Sequence, residues 1–371
     1  MDDNEEIKLK GVGEDPINVT VLQKEMASWD ASSTHTDNFP QILKGLNISL
    51  AVTSYQSHCM FLVRSDGDVI DTKFLAFRRP MGLSVSKDQI TLGTYSEVIK
   101  FARNDKAIES FPHKEKIDAC FTPRATHTTG MINIHDIAYG DEGLWVVNSM
   151  FSCLATLESD SSFVPRWKPE FITELVPEDR CHLNGMCLKD GKPKYVTTFN
   201  RANVKGAWKR DQRAGTVMDV DTGEVLVDDL DMPHSPRFYR GHLYFCESGK
   251  GLIYRYNPVT KELLVIAELQ GFTRGMDFYG PLLFVGLSKV RKSDIKKPLE
   301  LADKYDETYS GVWVINLEDH REVGHLSFEG TVSQVYDIAL IEGCSFPEVI
   351  RPEGKRVANT YSFDEKSLKS K

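Results

Sequence analysis

The sequence predicts an all-β protein, a single six-bladed β-propeller whose last blade is closed by strands from the two ends of the chain. Three observations predict it. A pattern of short apolar strands recurs with blade starts about 40 to 60 residues apart, near the period of propeller repeats. Within the strands, apolar and polar residues alternate with period two between turns such as Ser65-Asp-Gly67 and Asp221-Thr-Gly223. One copy of the pattern is split, with its parts at opposite ends of the chain.

The first full copy is Pro80–Val85, Gln89–Thr94 and Glu97–Phe101. The second is His135–Tyr139, Gly143–Asn148 and Ser152–Thr156. The third opens at His182–Met186 and continues at Lys194–Asn200. The fourth is His234–Arg237, Gly241–Glu247 and Gly251–Tyr256. The fifth is Thr273–Asp277, Pro281–Gly286 and, after a long insertion, Gly311–Ile315. The sixth has only Val335–Leu340 at the C-terminal side; Ile48–Thr53, Cys59–Val63 and Val69–Phe74 supply what it lacks. Such closure removes exposed sheet edges. Residues 1–40 read as a tail or covering segment, 41–350 as the propeller, and 351–371 as a charged, Ser-rich disordered tail. The charged insertion Lys289–Tyr309 is either a solvated loop or a short helix over the mouth.

Composition narrows the function. Apolar residues make up 41% and charged residues 27%, so the chain can bury a large core. A net charge of −9 argues against a broad nucleic-acid footprint or adhesion to anionic membranes. No apolar run is long enough for a membrane span, and the charged N-terminus does not read as a secretory signal. The seven Cys are odd in number and form no CxxC pair, which suits buried thiols in a cytoplasmic protein. There is no GxSxG elbow, P-loop, HExxH or dinucleotide fingerprint, so no nucleotide cofactor is expected.

In a propeller the inner strand of each blade lines the axis, and its leading residues face the same end as the turn between the second and third strands. Aligned blade starts place Met81, His135, Asn184, Ser235, Arg274 and Tyr336 at equivalent positions, with His182 and His234 one or two residues earlier. The turns add Asn148, Asn200, Glu247 and Ser288. His135, His182 and His234 come from three consecutive blades, a set suited to an open divalent metal site such as Zn or Fe. Arg274 would hold a carboxylate or phosphate and, with Tyr336 and Glu247, serve in catalysis, while Asn148, Asn184 and Ser235 would bind substrate. Structural readings stand beside these. Each His can cap backbone between blades, Arg274 can pair with Asp277 or Asp337, Tyr336 can be core, and Asp136 and Asp337 can hold blade turns. The basic stretch Arg201, Lys205, Lys209, Arg210 and Arg213, with Trp208, is a solvated loop or an anion-receiving rim.

Several runs carry a family resemblance: His234-Ser-Pro-Arg237 through Glu247-Ser-Gly-Lys-Gly251, Gly271-Phe-Thr-Arg-Gly275, Val285-Gly-Leu-Ser-Lys-Val-Arg291, Gly311-Val-Trp-Val-Ile315, Phe328-Glu-Gly330, Tyr336-Asp337, Thr129-Gly130 and His135-Asp136. Over roughly residues 45–350 the chain resembles a largely bacterial family of conserved hypothetical propeller proteins, function unassigned. It departs from that pattern at Phe238-Tyr239 and Cys246-Glu247. The resemblance implies the fold and no chemistry. By analogy of fold alone, peptide-amidating-lyase propellers carry a three-His metal with an arginine and a tyrosine, and gluconolactonase-like propellers use Glu and Asn around a divalent ion. The resulting expectation is a metal-assisted lyase, isomerase or hydrolase acting on a small, polar, anionic substrate in the central channel. The alternative is a non-catalytic propeller that binds a peptide, protein or small ligand on one face.

Overall fold

The computed structural model describes residues 17–210, 213–290 and 299–363. Six sheets stand around a common axis, and the innermost strand of each touches that of the next in a closed ring. We number the blades from the split one. Blade 1 is Asp337–Glu342 innermost, then Ile48–Ser54, Cys59–Ser65 and Ile70–Ala76. Blades 2 to 6 begin with inner strands Leu83–Ser86, Ile134–Gly140, Leu183–Lys189, Pro233–Tyr239 and Phe272–Tyr279. The ring closes as the sequence predicts: Ile48 pairs with Glu342 and Thr53 with Asp337, antiparallel.

The blades pack face to face, so a central strand is covered on both sides. Every residue of Ile48–Ser54 and Cys59–Ser65 is buried. That is why Cys59–Val63 reads as a near-continuous apolar run rather than an alternation. Between blades 1 and 6, Leu50, Val52 and Phe61 meet Phe284, Val314 and Phe328 in one core cluster. All seven Cys are buried and none is in a disulfide.

Segments outside the ring cover its rim. The strand Ser33–His35 pairs on the outer edge of blade 6, and Pro347–Val349 runs parallel on the outer edge of blade 2. The helix Phe39–Leu46 sinks Phe39 and Leu43 into the core between blades 6 and 1. The helix Val19–Glu25 lies on blade 1, where Gln23 donates to the Phe74 carbonyl and accepts from the Ala76 amide, satisfying that edge. In the long insertion, residues 291–298 lie outside the described residues. The remainder forms the short helix Glu300–Lys304, with Leu299 and Leu301 buried near the mouth. At the C-terminal side, Lys355–Asn359 forms a turn of 3-10 helix and Arg356 lies 4.5 Å over the Phe111 ring. The part of the expected tail at 364–371 lies outside the described residues.

One ionic cluster sits on the axis. Arg237 of blade 5 donates to Asp136 of blade 3 (2.9 Å), to Asp337 of blade 1 (3.4 Å) and to the Met276 carbonyl of blade 6 (3.2 Å). The same carboxylates accept backbone N–H groups from the next blades, Asp136 from Met186 of blade 4 and Asp337 from Leu83 of blade 2. Burial opposes the Arg237 charge, but Asp136 and Asp337 outweigh it and hold the guanidinium protonated. Burial, with Asp136 adding to it, pushes the Asp337 carboxyl up against the opposing pull of Arg237. Asp136 and Asp337 therefore do hold the blades, and the arginine between them is Arg237 rather than Arg274.

The inner strands approach closely enough to exclude a Cβ. One built on Gly275, at φ +70°, would lie 2.7 Å from Asp337 Cα.

Replacing Arg237 by Met strands two buried carboxylates and should cost about 3–5 kcal/mol in urea unfolding. Replacing Arg274 by Met, which breaks no ion pair, should cost no more than about 1 kcal/mol. Equal losses would place Arg274 in the scaffold.

Candidate functional site

The expected central channel is closed. Only about 10 Å³ is open between Asp136, Asn184, Ser235, Arg237 and Asp337. On the axis the open space, about 400 Å³, lies above that plug at the mouth where the inner strands begin. Five non-glycine residues turn the chain into it. Arg79 (φ 43°), Asn133 (φ 57°), Asp179 (φ 47°), His182 (φ 49°) and Met232 (φ 53°) are left-handed, and each precedes an inner-strand opening. All five line the cavity. Left-handed backbone costs such residues on the order of 1 kcal/mol each, a strain that the packed blades hold in place.

His135 and His234 are set by one repeated device. His135 Nδ1 meets the Asn133 carbonyl at 3.0 Å and Ser149 Oγ at 2.7 Å. Ser149 gives its only proton to the Leu183 carbonyl of the next blade, so both atoms facing Nδ1 are acceptors. Nδ1 therefore carries the proton and Nε2 keeps its lone pair. In blade 5, His234 Nδ1 meets the Met232 carbonyl at 2.9 Å and Ser248 Oγ at 2.8 Å, and Ser248 donates to the Thr273 carbonyl. The buried His234 Nε2 has no hydrogen-bond partner. Burial pushes both rings well below the ordinary imidazole range, His182 adding to this for His135 and Arg274 for His234.

His182 is held differently. Its Nδ1 lies 3.0 Å from both Asp179 oxygens, and Asp179 also accepts from Trp208 Nε1 at 2.9 Å. The Trp208 ring stacks on the imidazole, centroids 3.9 Å apart. The carboxylate fixes the tautomer and leaves His182 Nε2 as the free ring nitrogen, the arrangement of an oriented general base.

The three imidazoles thus border one region, but not as a metal triad. His135 and His182 meet edge to face at 4.7 Å, while Phe199 packs on His182 at 4.5 Å and on His234 at 5.1 Å. Among the described residues no three His, Cys, Asp or Glu side chains are grouped so that they could hold a metal ion. As placed, His135, His182 and His234 are not grouped as the expected Zn or Fe centre needs, and Phe199 packs against two of them.

Arg274 reaches the cavity. It is 8% exposed, its Nε is unpartnered, and its guanidinium lies 4.2 Å over the Tyr336 ring. Among the described residues, none of the lining cations Arg79, Lys209, Arg274 and Lys289 makes an ion pair with a carboxylate. The basic stretch at 201–213 therefore reaches the mouth through Lys209, beside Trp208, while Arg201 pairs outward with Asp228.

Other expected residues are structural here. Tyr336 donates to the His135 carbonyl, and burial raises its phenol well above the ordinary range, so it stays protonated with its hydroxyl given to the backbone. Glu247 does not line the cavity. It accepts from the Asp231 amide and Tyr254 hydroxyl and pairs with Lys250 at 2.8 Å. Asn148 accepts from the Phe151 amide inside blade 3. Asn184 and Ser235 border only the plugged channel, bonded to Thr197 and the Gly275 amide.

The cavity also uses residues that strand alignment passes over, namely Tyr55, Gln56, Arg79, Asp179 and Gln334. Burial pushes the Tyr55 phenol up, but Arg274 and hydrogen bonds with Gln334 and Gln56 outweigh it, and the net shift is downward. Tyr55 sits in the second-to-third turn of blade 1, the turn that elsewhere carries Asn148 and Asn200, so extending that alignment to the split blade finds it.

Nitrogen-resolved NMR at pH 6 should find His135 and His234 neutral and protonated at Nδ1. An imidazolium signal from either ring would contradict the bonding described.

Residues 37–350 match a family described as a domain of unknown function, DUF4915. No curated protein matches the chain. Among solved structures, a chain in the crystal structure of a nidogen/laminin complex is 13% identical, with a TM-score of 0.51, over 80% of this chain and 99% of that one. A catalytically inactive virginiamycin B lyase from Staphylococcus aureus with quinupristin is 9% identical, with a TM-score of 0.41, over 80% of this chain and 99% of that one. The likeness to the nidogen/laminin structure is one of fold alone. Matched over most of its length, the chain belongs to the DUF4915 family.

Proposed function

We propose that this protein is an enzyme that moves a proton within a small anionic substrate held at the mouth of the propeller, as a lyase or isomerase does. The observation that carries the reading is the Asp179–His182 pair, with its free Nε2 directed to the cavity that also holds the unpaired Arg274. In a chain of net charge −9, this cavity gathers Arg79, Lys209, Arg274 and Lys289 around one acidic side chain among the described residues, Asp179. Such a field favours an anion over a cation or neutral molecule. Arg274 holds the anionic group, and His182 takes or returns the proton with Asp179 stabilising the imidazolium. The neutral Nε2 of His135 accepts a hydrogen bond from substrate.

Incubation with small carboxylates and phosphorylated compounds in D₂O, followed by proton NMR, should show deuterium uptake or product for the true substrate. His182→Gln should lower the rate by about 100-fold or more while binding persists. A ligand that saturates the cavity without exchange or turnover would put a binding propeller first. The plugged channel and the withdrawn Glu247 favour that second reading.

No step is routed through a metal. Protein purified without a His tag should carry no stoichiometric zinc or iron. A stoichiometric metal that is lost in His135→Ala would restore the three-His centre and require Phe199 to move.

A further inference from the structure

We infer that the ligand of this cavity is amphipathic, a carboxylate on an apolar body; the inference rests on the anionic reading above and adds to it. Three of the four cations of the lining fall on one arc of the ring. Arg274 and Lys289 belong to blade 6, Tyr55 to blade 1 and Arg79 to blade 2. Across the axis, blade 3 supplies Met131 and Met150, blade 4 Phe199 and Trp208, and blade 5 Met232. In a closed ring of six, blades 6, 1 and 2 face blades 3, 4 and 5, so each cationic position looks across the mouth at a thioether or an aromatic ring. Met81, Phe272, Val290 and Leu299 add apolar surface beside the cations. The one cation on the far arc, Lys209, lies with its Nζ 5.5 Å from the Trp208 ring centre.

A small polyanion would use the cations and leave this apolar arc wet. A purely apolar molecule would leave the buried Arg274 without a counter-charge. A carboxylate with an apolar body satisfies both walls. Methionines are unbranched and polarizable, so their arc accepts bodies of differing shape. His135 and His182 lie on the apolar arc, so the carboxylate is anchored away from them and the body is laid beside them. The bond that reacts is then on the body and not at the anionic carbon.

The test is calorimetric titration of the full chain with straight-chain carboxylates from acetate to octanoate, the matching alcohols, and succinate and inorganic phosphate. Affinity should rise about fourfold per methylene along the carboxylates, the gain expected for burying a CH₂. Alcohols should bind at least tenfold more weakly than the matching carboxylates. Met150→Ser should flatten the chain-length dependence, and Arg274→Lys should weaken every carboxylate in proportion. If succinate or phosphate binds as tightly as hexanoate, with Arg274→Lys weakening it, the amphipathic inference falls and the anionic reading stands. If alcohols bind as well as carboxylates, or no compound binds, both fall.

Discussion

One guanidinium organises the axis of this molecule. Arg237 of blade 5 bonds directly to blades 3, 1 and 6, and its two carboxylate partners bond onward to blades 4 and 2. All six sheets are thus joined through one buried point. A buried ion pair adds little net stability over an apolar plug of equal volume. It does fix which side chains face which, because each oxygen has an assigned donor. The same cluster fills the channel, so the open space on the axis is left at the mouth. The location of the candidate site is therefore a consequence of how the ring is held.

The pattern of strands was legible because the propeller repeats its demands: a turn, an apolar stretch covered on both faces, another turn. The split blade was legible for the same reason, since each end lacks what the other has. The site was less so. Alignment of the inner strands brings out Arg274 and His135, yet it passes over Arg237. A register shift between His234 and Arg237, with Ser235 at φ 52°, turns Arg237 to the axis where a regular strand would turn its neighbour. Glu247 fails for another reason: its turn carries it back to Tyr254 and Lys250, a choice of side-chain rotamer that spacing does not encode. Arg79, Met232 and Asp179 escaped because their left-handed backbone is imposed by the blades on residues with little shared chemistry.

The electrostatic contrast between cavity and surface has a cost inside the protein as well as a use. An unpaired arginine at 8% exposure is tolerable because three aromatic faces, Tyr336, Tyr55 and Phe272, lie 4.2, 5.8 and 5.7 Å from it. Aromatic faces attract a cation without neutralising it. A carboxylate in their place would stabilise the scaffold more and leave nothing for a ligand to complete. The Asp231 carboxyl, pushed up to about 6 by burial with Glu247 adding to it and Arg213 opposing, shows what an incompletely compensated buried charge does elsewhere in this chain.

The pairing of Ile48–Thr53 with Asp337–Glu342 also bears on how the protein is made. At about 5–20 residues per second, a ribosome takes on the order of tens of seconds to travel from one partner to the other. Throughout that interval three apolar strands of blade 1 exist without the strand that shields their inner edge. Blades 2 to 6 can assemble from local hairpins as they emerge, but the ring is an open arc until the last inner strand is released. The long-range contact that seals the fold is thus the slow step of biogenesis. The nascent chain is at its most vulnerable to edge-on association when it is nearly complete.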